Sequence, residues 1–457
     1  MPSQAIPKDD ARPFVEYAFV KGHFAWGYFW FMFAIIGGFL YAGQFLQAYL
    51  LPGIEWLSPG RVRMIHTQGV AYGFIANCFL GALYWAVPRL TGQRVTHKYL
   101  GYFILYAWNA LTLISVVGIL FGEAQALEWG ENPVWIDPVV LVGLACAAAQ
   151  FTPALWKTKG KLHYVSIWYF SGALAWTGLV YFMGNFGPEY WAVGTGGAAL
   201  TGLYIHDLVG LFVTPIGWGL MYYFVPILIN KPIWSHKLSL LGFWGLAFFY
   251  PLQGIHHFLY SPIPMYAQYG AVVTTIAIEI VVTTVVINFF ATLRKREAFM
   301  VNSLPVRWFY TGMILYFITC LQCSFQVTLT FQKIIHFTDW VVGHAHLVMF
   351  GVFGFWIMGM IEYLWPKVTK AGEWYSNHLS HWSYWLMGIG LIIMFSTLTI
   401  AGLVQGYLWR DLAVFEASIS ASVPFWWARY FSGLMILIGA FITAFNMYKT
   451  AEMGRAK

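Results

Sequence analysis

Charge is scarce in this chain. Only 9% of its 457 residues are Asp, Glu, Lys or Arg, against 60% hydrophobic and 20% aromatic residues. A soluble globule of that composition would lack the polar surface to cover itself, so a water-soluble enzyme or binding domain is excluded. Cysteine is scarcer still, at four. Cys78, Cys146, Cys320 and Cys323 all fall in apolar runs, which excludes a disulfide scaffold and makes them small packing residues. Cys320 and Cys323 have the gap of a metal or haem-attachment motif, but Ser324 stands where a c-type attachment needs His.

What the chain has instead is apolar length. A hydrocarbon core needs roughly 20 apolar residues per spanning helix. Twelve such runs are present, at about 24–50, 64–88, 100–121, 138–156, 164–187, 199–229, 238–260, 268–292, 308–331, 341–365, 382–408 and 424–448. The expected fold is an all-α integral membrane protein of twelve transmembrane helices. Residues 1–20 read as a cytoplasmic tail, 21–450 as one membrane domain and 451–457 as a second short tail. The first apolar run is too long for the core of a cleavable signal peptide, and it reads as an anchor.

Lys and Arg collect on the cytoplasmic side of short loops. With the N-terminus inside, twenty of the 25 fall in inner segments, among them Lys8, Arg12, Lys21, Arg89, Lys157, Lys159, Lys161, Lys231, Arg294, Lys367 and Lys457. Only Arg61, Arg63, Lys333 and Arg410 fall in outer loops, with Arg429 near the outer end of the last span. Both termini are therefore expected inside, and the net +7 is explained by topology rather than by nucleic acid.

Histidine carries the chemistry. Seven of the thirteen (His23, His97, His163, His236, His336, His378 and His381) lie at span ends or in loops, where an interfacial role suffices. The other six, His66, His206, His256, His257, His344 and His346, fall within spans. On a helix His344 and His346 point to nearly opposite sides at about the same height, so one helix can serve two cofactors. His256 and His257, about 100° apart on a helix, approach one metal from two directions, and an imidazole from a neighbouring helix completes a three-histidine site with an open position, which suits copper. His66, below Arg61 and Arg63, suits a haem iron whose propionates face the basic pair. Tyr250 returns to nearly the His257 face of a helix about two turns away, roughly 10 Å along the axis.

Other polar residues are sparse. Glu123, Glu128, Glu131 and Asp137 in the third outer loop are equally a docking face, a cation site or a solvated loop. Glu279 is a carboxylate inside the eighth span without an obvious partner. Ser239, Tyr222, Tyr223, Tyr316 and Thr319 are candidate members of a proton path. Gln405, Arg410, Arg429 and Asn446 are candidate anchors for helices or propionates.

The six histidines together resemble the ligand set of subunit I of the haem–copper oxidase superfamily, specifically the catalytic subunit of cbb3-type cytochrome c oxidases, over essentially the whole chain. The resemblance implies that His66 and His346 are axial ligands of a low-spin haem b and His344 the ligand of a high-spin haem b. It implies copper on His206, His256 and His257, with Tyr250 as the active-site tyrosine covalently linked to His206. Less directly, Glu128 resembles the family's calcium-binding glutamate, and Arg63 the arginine that serves propionates. The implied activity is reduction of O2 to water with electrons from membrane-anchored c-type cytochrome subunits, coupled to proton translocation, in a bacterial inner membrane. No Cys-x-x-Cys-His motif occurs, so the c-type haems are expected on partner subunits.

The nearest competitor is a nitric oxide reductase catalytic subunit, which shares the histidines but holds non-haem iron. That family has a glutamate four residues after the sixth-span histidine; this chain has Gly210 there and retains Tyr250. Twelve spans alone also suit a transporter or a cofactor-free membrane protein. One departure from the cbb3-type pattern is Gln326, where a glutamate is usual.

Overall fold

In the computed structural model the described residues are 15–47, 51–95, 97–157 and 164–456. Lys8, Arg12, Lys159, Lys161, His163 and Lys457, and with them most of the expected N-terminal tail and the Lys157–Lys161 turn, lie outside the described residues. All regular structure among the described residues is helical, as an apolar solvent demands, because a helix satisfies its own backbone groups.

Among the described residues, twelve helices are long and apolar enough to cross a membrane. The first six are Tyr17–Leu46, Pro59–Thr91, Lys98–Leu120, Val134–Trp156, Val165–Trp191 and Thr195–Leu228. The second six are His236–Phe258, Met265–Leu293, Leu304–Gln326, Asp339–Val368, Asn377–Arg410 and Phe415–Ala456. The expected spans are all present, with differences at their ends. Helix begins at Tyr17, and Phe19 and Val20 are fully buried. At the other end the last helix continues to Ala456, with Gly454 against the Thr369 carbonyl. The ninth span stops at Gln326, and a separate short helix, Leu329–Ile335, follows it.

Three spans form the centre. The apolar windows of the second, sixth and tenth are 89%, 89% and 78% buried, while no other span exceeds 56%. These three share a plan. Each carries a histidine (His66, His206, His346) and widens within three residues of it into a π-helical stretch, at Gly69–Ile75, Leu208–Val213 and Leu347–Gly354. Each then runs on as α-helix to a proline, Pro88, Pro226 or Pro366, near its far end. π-stretches of this kind mark functional sites in helices, and here they follow histidines that fall within spans.

Where the chain turns after the sixth and tenth spans, the same device recurs. Ser235 and Ser376 cap the next helix, and Asn288 and Asn446 each clasp the capping serine by both its N–H and its carbonyl. Thr292 and Thr450 accept the N–H of the preceding residue. The repeat includes a caps-and-clasps geometry that polar residues in lipid require, since an unsatisfied backbone group there is costly.

Candidate functional site

His66 and His346 face one another across the centre, with ring centroids 6.2 Å apart and planes inclined by 21°. His66 Nδ1 lies 2.7 Å from the Ala34 carbonyl and His346 Nδ1 2.8 Å from the Val342 carbonyl. A carbonyl can only accept, so both Nδ1 atoms carry the hydrogen and both Nε2 atoms keep their lone pair for a metal. The first span is packed close enough to fix this: a Cβ at Gly38 would meet His66 Cε1 at 2.8 Å. Arg429, buried and set against Phe45, lies within electrostatic reach of both rings, and its Nη1 has no protein partner. A buried guanidinium with an unused donor beside two opposed imidazoles fits a haem with a propionate.

His344 leaves the other side of the same helix. Its Nδ1 is 3.0 Å from Gln322 Oε1, its Nε2 accepts from Gln326 Nε2 at 3.1 Å, and its ring stacks on Trp340. Cys323 Sγ stands 3.8 Å from the same Nε2. Gln322 and Gln326 are four residues apart on the ninth span and so share a face; that spacing was available in the sequence and went unread.

His206, His256 and His257 converge, each offering a nitrogen within 4.8 Å of the others. Among the described residues this is the one group of three or more His, Cys, Asp or Glu donors so placed. The sequence reading set His256 and His257 on an α-helix, about 100° apart. Instead the seventh span tightens into two 3-10 segments, Tyr250–Leu252 and Gly254–Phe258, where successive residues turn by about 120°. Tyr250 therefore does not lie two α-turns from His257; its ring stacks on His206, centroids 4.4 Å apart and planes 18° apart. The tightening needs Gly254, since a Cβ there would sit 2.3 Å from Leu203 Cα of the sixth span.

The lone pairs fit one ion. Gln253 Oε1 takes the hydrogen of His206 Nε2 at 3.0 Å, which leaves His206 Nδ1 3.3 Å from His257 Nε2. That is the spacing of two ligands on one metal at ~2 Å each. Thr275 holds His256 Nδ1 at 2.7 Å, turning its Nε2 inward. Thr275, Gln253 and Thr214, which lies beside Tyr250, are site residues sequence reasoning missed, because tertiary approach rather than pattern brings them there.

Other expectations meet the structure unevenly. His23 is not interfacial: it is fully buried, with Nδ1 3.1 Å from Asn77 Oδ1 and its ring stacked on Tyr84. Asp137 is buried among Tyr181, Asn132 and Gln125, which makes it a helix-end anchor rather than part of a docking face. Glu131 is the buried acid of that loop, bonded to Gln68 and paired with Arg63 at 3.3 Å. Burial pushes the Glu131 carboxyl above its ordinary 4.5. Glu128 is exposed beside it. The four cysteines are free. Glu279 lies beside Ser324, one residue from Cys323.

Residues 18–435 match the family described as cytochrome c and quinol oxidase polypeptide I. The chain belongs to that family. It is 28% identical over 407 residues to a cytochrome c oxidase subunit 1 homolog of Agrobacterium tumefaciens, covering 86% of this chain and 76% of the relative. It is 26% identical to the cbb3-type cytochrome c oxidase subunit CcoN1 of Stutzerimonas stutzeri, covering 92% and 91%. A nitric oxide reductase chain of the same organism is similar at 23% identity, covering 90% and 91%. A solved heme-copper terminal oxidase dimer superposes with a TM-score of 0.79 at 12% identity, over 95% of this chain and 84% of that one, which shows the shared fold. This oxidase subunit is thus a multi-pass inner-membrane oxidoreductase of the haem–copper class, as the six histidines implied.

Proposed function

We propose that this subunit is the catalytic chain of a cbb3-type terminal oxidase, reducing O2 to water with electrons from c-type cytochrome subunits and coupling this to proton translocation. The observation that carries the proposal is the packing of Tyr250 against Gly210. A Cβ built at Gly210 would lie 1.6 Å from Tyr250 Cε1. The phenol therefore fills the place where a nitric oxide reductase carries its glutamate, and one site cannot hold both.

His66 and His346 would hold a low-spin haem b, His344 a high-spin haem b, and His206, His256 and His257 copper. When bound, these groups supply electron transfer and oxygen chemistry. The chain's own residues set the conditions. Backbone carbonyls orient His66 and His346, Gln322 orients His344, and Gln253 and Thr275 orient the triad. Tyr250 brings a phenolic proton against His206, with Thr214 beside it. Below it, Tyr316 is buried beside Cys320, and Asn288 Nδ2 donates to Tyr222 OH at 3.4 Å; with Ser239 and Thr319 these tyrosines would supply the hydroxyls of the proton path. Arg429 would receive a low-spin haem propionate, and Arg63 one further out. Glu128 with the outer loop would take calcium. Both termini would face the cytoplasm.

The test is metal and haem content of the purified complex, with O2 and NO consumption on the same sample. Two b haems and one copper per copy of this chain, with O2 uptake, are expected; non-haem iron with NO consumption would overturn the reading. Gly210→Glu should displace Tyr250 and abolish O2 reduction. Retained O2 uptake in that variant would show that the phenol is dispensable.

A further inference from the structure

The turns after the sixth and tenth spans are built alike but differ in charge. The eighth span clasps the first turn through Asn288 and Thr292, and the twelfth clasps the second through Asn446 and Thr450. Two to four residues beyond Thr450 come Glu452, Met453 and Gly454. Glu452 pairs with Lys449 at 2.8 Å and Gly454 packs on the Thr369 carbonyl, so the lysine there is matched and the corner is filled. Two to four residues beyond Thr292 come Arg294, Lys295 and Arg296 instead.

The clasp brings a fourth cation to this corner. Lys231, in the turn after the sixth span, donates from Nζ to the Arg294 carbonyl at 2.6 Å, which ties its ammonium to the 294–296 segment. Glu297 is the acid of that segment, and its Oε1 accepts from the Lys295 backbone N–H at 2.8 Å. Among the described residues no ion pair forms to Lys231, Arg294, Lys295 or Arg296. Burial, and after it the charge of Arg296, holds the Lys231 ammonium below its ordinary 10.5, against the pull of Glu297. Like charges gathered this closely repel unless an anion sits among them. Topology accounts for cations on the face that the first span leaves and the last returns to. It does not account for a lysine tethered by a carbonyl to three more.

Next to the cations the surface turns apolar. On the eighth span Ile280 and Ile287 are exposed seven residues apart, and exposed Arg294 continues the same face after seven more. On the seventh, exposed Leu241 and Trp244 follow exposed Lys237 at helical spacing. Trp234, exposed and held by Thr292, stands at the head of both, where tryptophan anchors a protein in the membrane interface. We propose that Lys231, Arg294, Lys295 and Arg296 bind the phosphate headgroup of an anionic phospholipid whose acyl chains lie along the exposed faces of the seventh and eighth spans. The phosphate oxygens would accept from the Lys231 ammonium and the arginine guanidiniums. An anion with apolar tails matches both halves of this surface, which free phosphate or an acidic soluble protein does not. The seventh span carries Tyr250, His256 and His257 toward its other end, so an occupied headgroup site fixes that span's depth in the membrane.

The test uses the purified complex with its partner subunits, in mixed micelles of phosphatidylglycerol and phosphatidylcholine, with retained lipid read by native mass spectrometry. Phosphatidylglycerol should be retained in preference. The concentration needed to retain the first molecule should rise about 5-fold for each cation removed, in Lys231→Gln and further in Arg294→Gln/Arg296→Gln. Lys449→Gln, at the matched corner of the repeat, should leave it unchanged. If the double variant fails to assemble, Lys231→Gln decides alone, since that side chain lies in a turn outside the spans. Equal retention of the two lipids by the unaltered complex would overturn the proposal, as would unchanged retention in Lys231→Gln or an equal loss in Lys449→Gln. Displacement of the lipid by equimolar inorganic phosphate would overturn the role of the apolar faces. Loss of a subunit from the double variant with lipid retention unchanged would overturn the proposal in favour of a protein partner at this corner.

Discussion

The two sides of the tenth span hold their histidines by different means. His346, with His66 opposite, is gripped by backbone carbonyls that belong to helices and cannot rotate away. His344, two residues earlier, is held at Nδ1 by the side-chain amide of Gln322, while Gln326 donates to its Nε2, the nitrogen whose lone pair a metal would take. One helix thus has a histidine held by backbone on one side and a histidine held by a side chain on the other. Rigid ligation suits a site that only passes electrons, since little reorganises; adjustable ligation suits a site where a substrate must bind and leave.

The strongest break of this contrast is to remove each histidine in turn. His346→Ala should abolish the low-spin haem band while copper stays bound, and His344→Ala should do the reverse to the second haem; each should cut O2 reduction by more than the ~10–100-fold that loss of an outer partner costs. Loss of both bands in either variant would mean that the two sides are not independent. Next in size, Gln322→Ala should lower retention of the second haem by roughly 10-fold and leave the low-spin band in place, read by haem titration. Gly38→Ala presses a methyl on the His66 ring and should cost about 1–3 kcal/mol of stability, with a shifted low-spin band and an unchanged triad.

The smallest expected effect lies in the outer loop. Glu131 is an acid whose pKa burial has raised, so folding favours its protonated form. Its contribution is fully present below the ordinary 4.5 and is lost as pH rises through the raised value. Glu131→Gln should flatten that part of the thermal midpoint's pH profile. An unchanged profile would mean that the Arg63 pair offsets the burial.

Much of this was legible in the chain. Twelve spans follow from apolar run length, because lipid leaves the backbone no alternative. The splitting of His344 and His346 to two sides follows from helix pitch alone. The seventh span was misread because Gly254 allows an approach to Leu203 that pulls the helix into 3-10 turns, and no local pattern records what a distant backbone will do. His23 looked interfacial by position, yet Asn77 and Tyr84 of the second span enclose it. Arg429 stood among the candidate propionate anchors, but Gln322 was unremarkable as a letter, since an amide acquires its role only from what faces it.

The π-helical stretches after His66, His206 and His346 make the chain's length a constraint of its own. Each absorbs residues beyond what an α-helix of that rise would hold, but the α-helix that follows has no such slack, so removing Gly217 from Thr214–Leu228 would leave a span of ordinary hydropathy and nearly ordinary length. The half above the deletion would then be rotated by ~100° against the half below it. His206 would turn away from His256 and His257, although every residue named in the site was still present. Among sequences of this kind, the spacing from a central histidine to its proline, 22 positions from His66 to Pro88 and 20 from His206 to Pro226 and from His346 to Pro366, is therefore as much a part of the site as the histidines themselves.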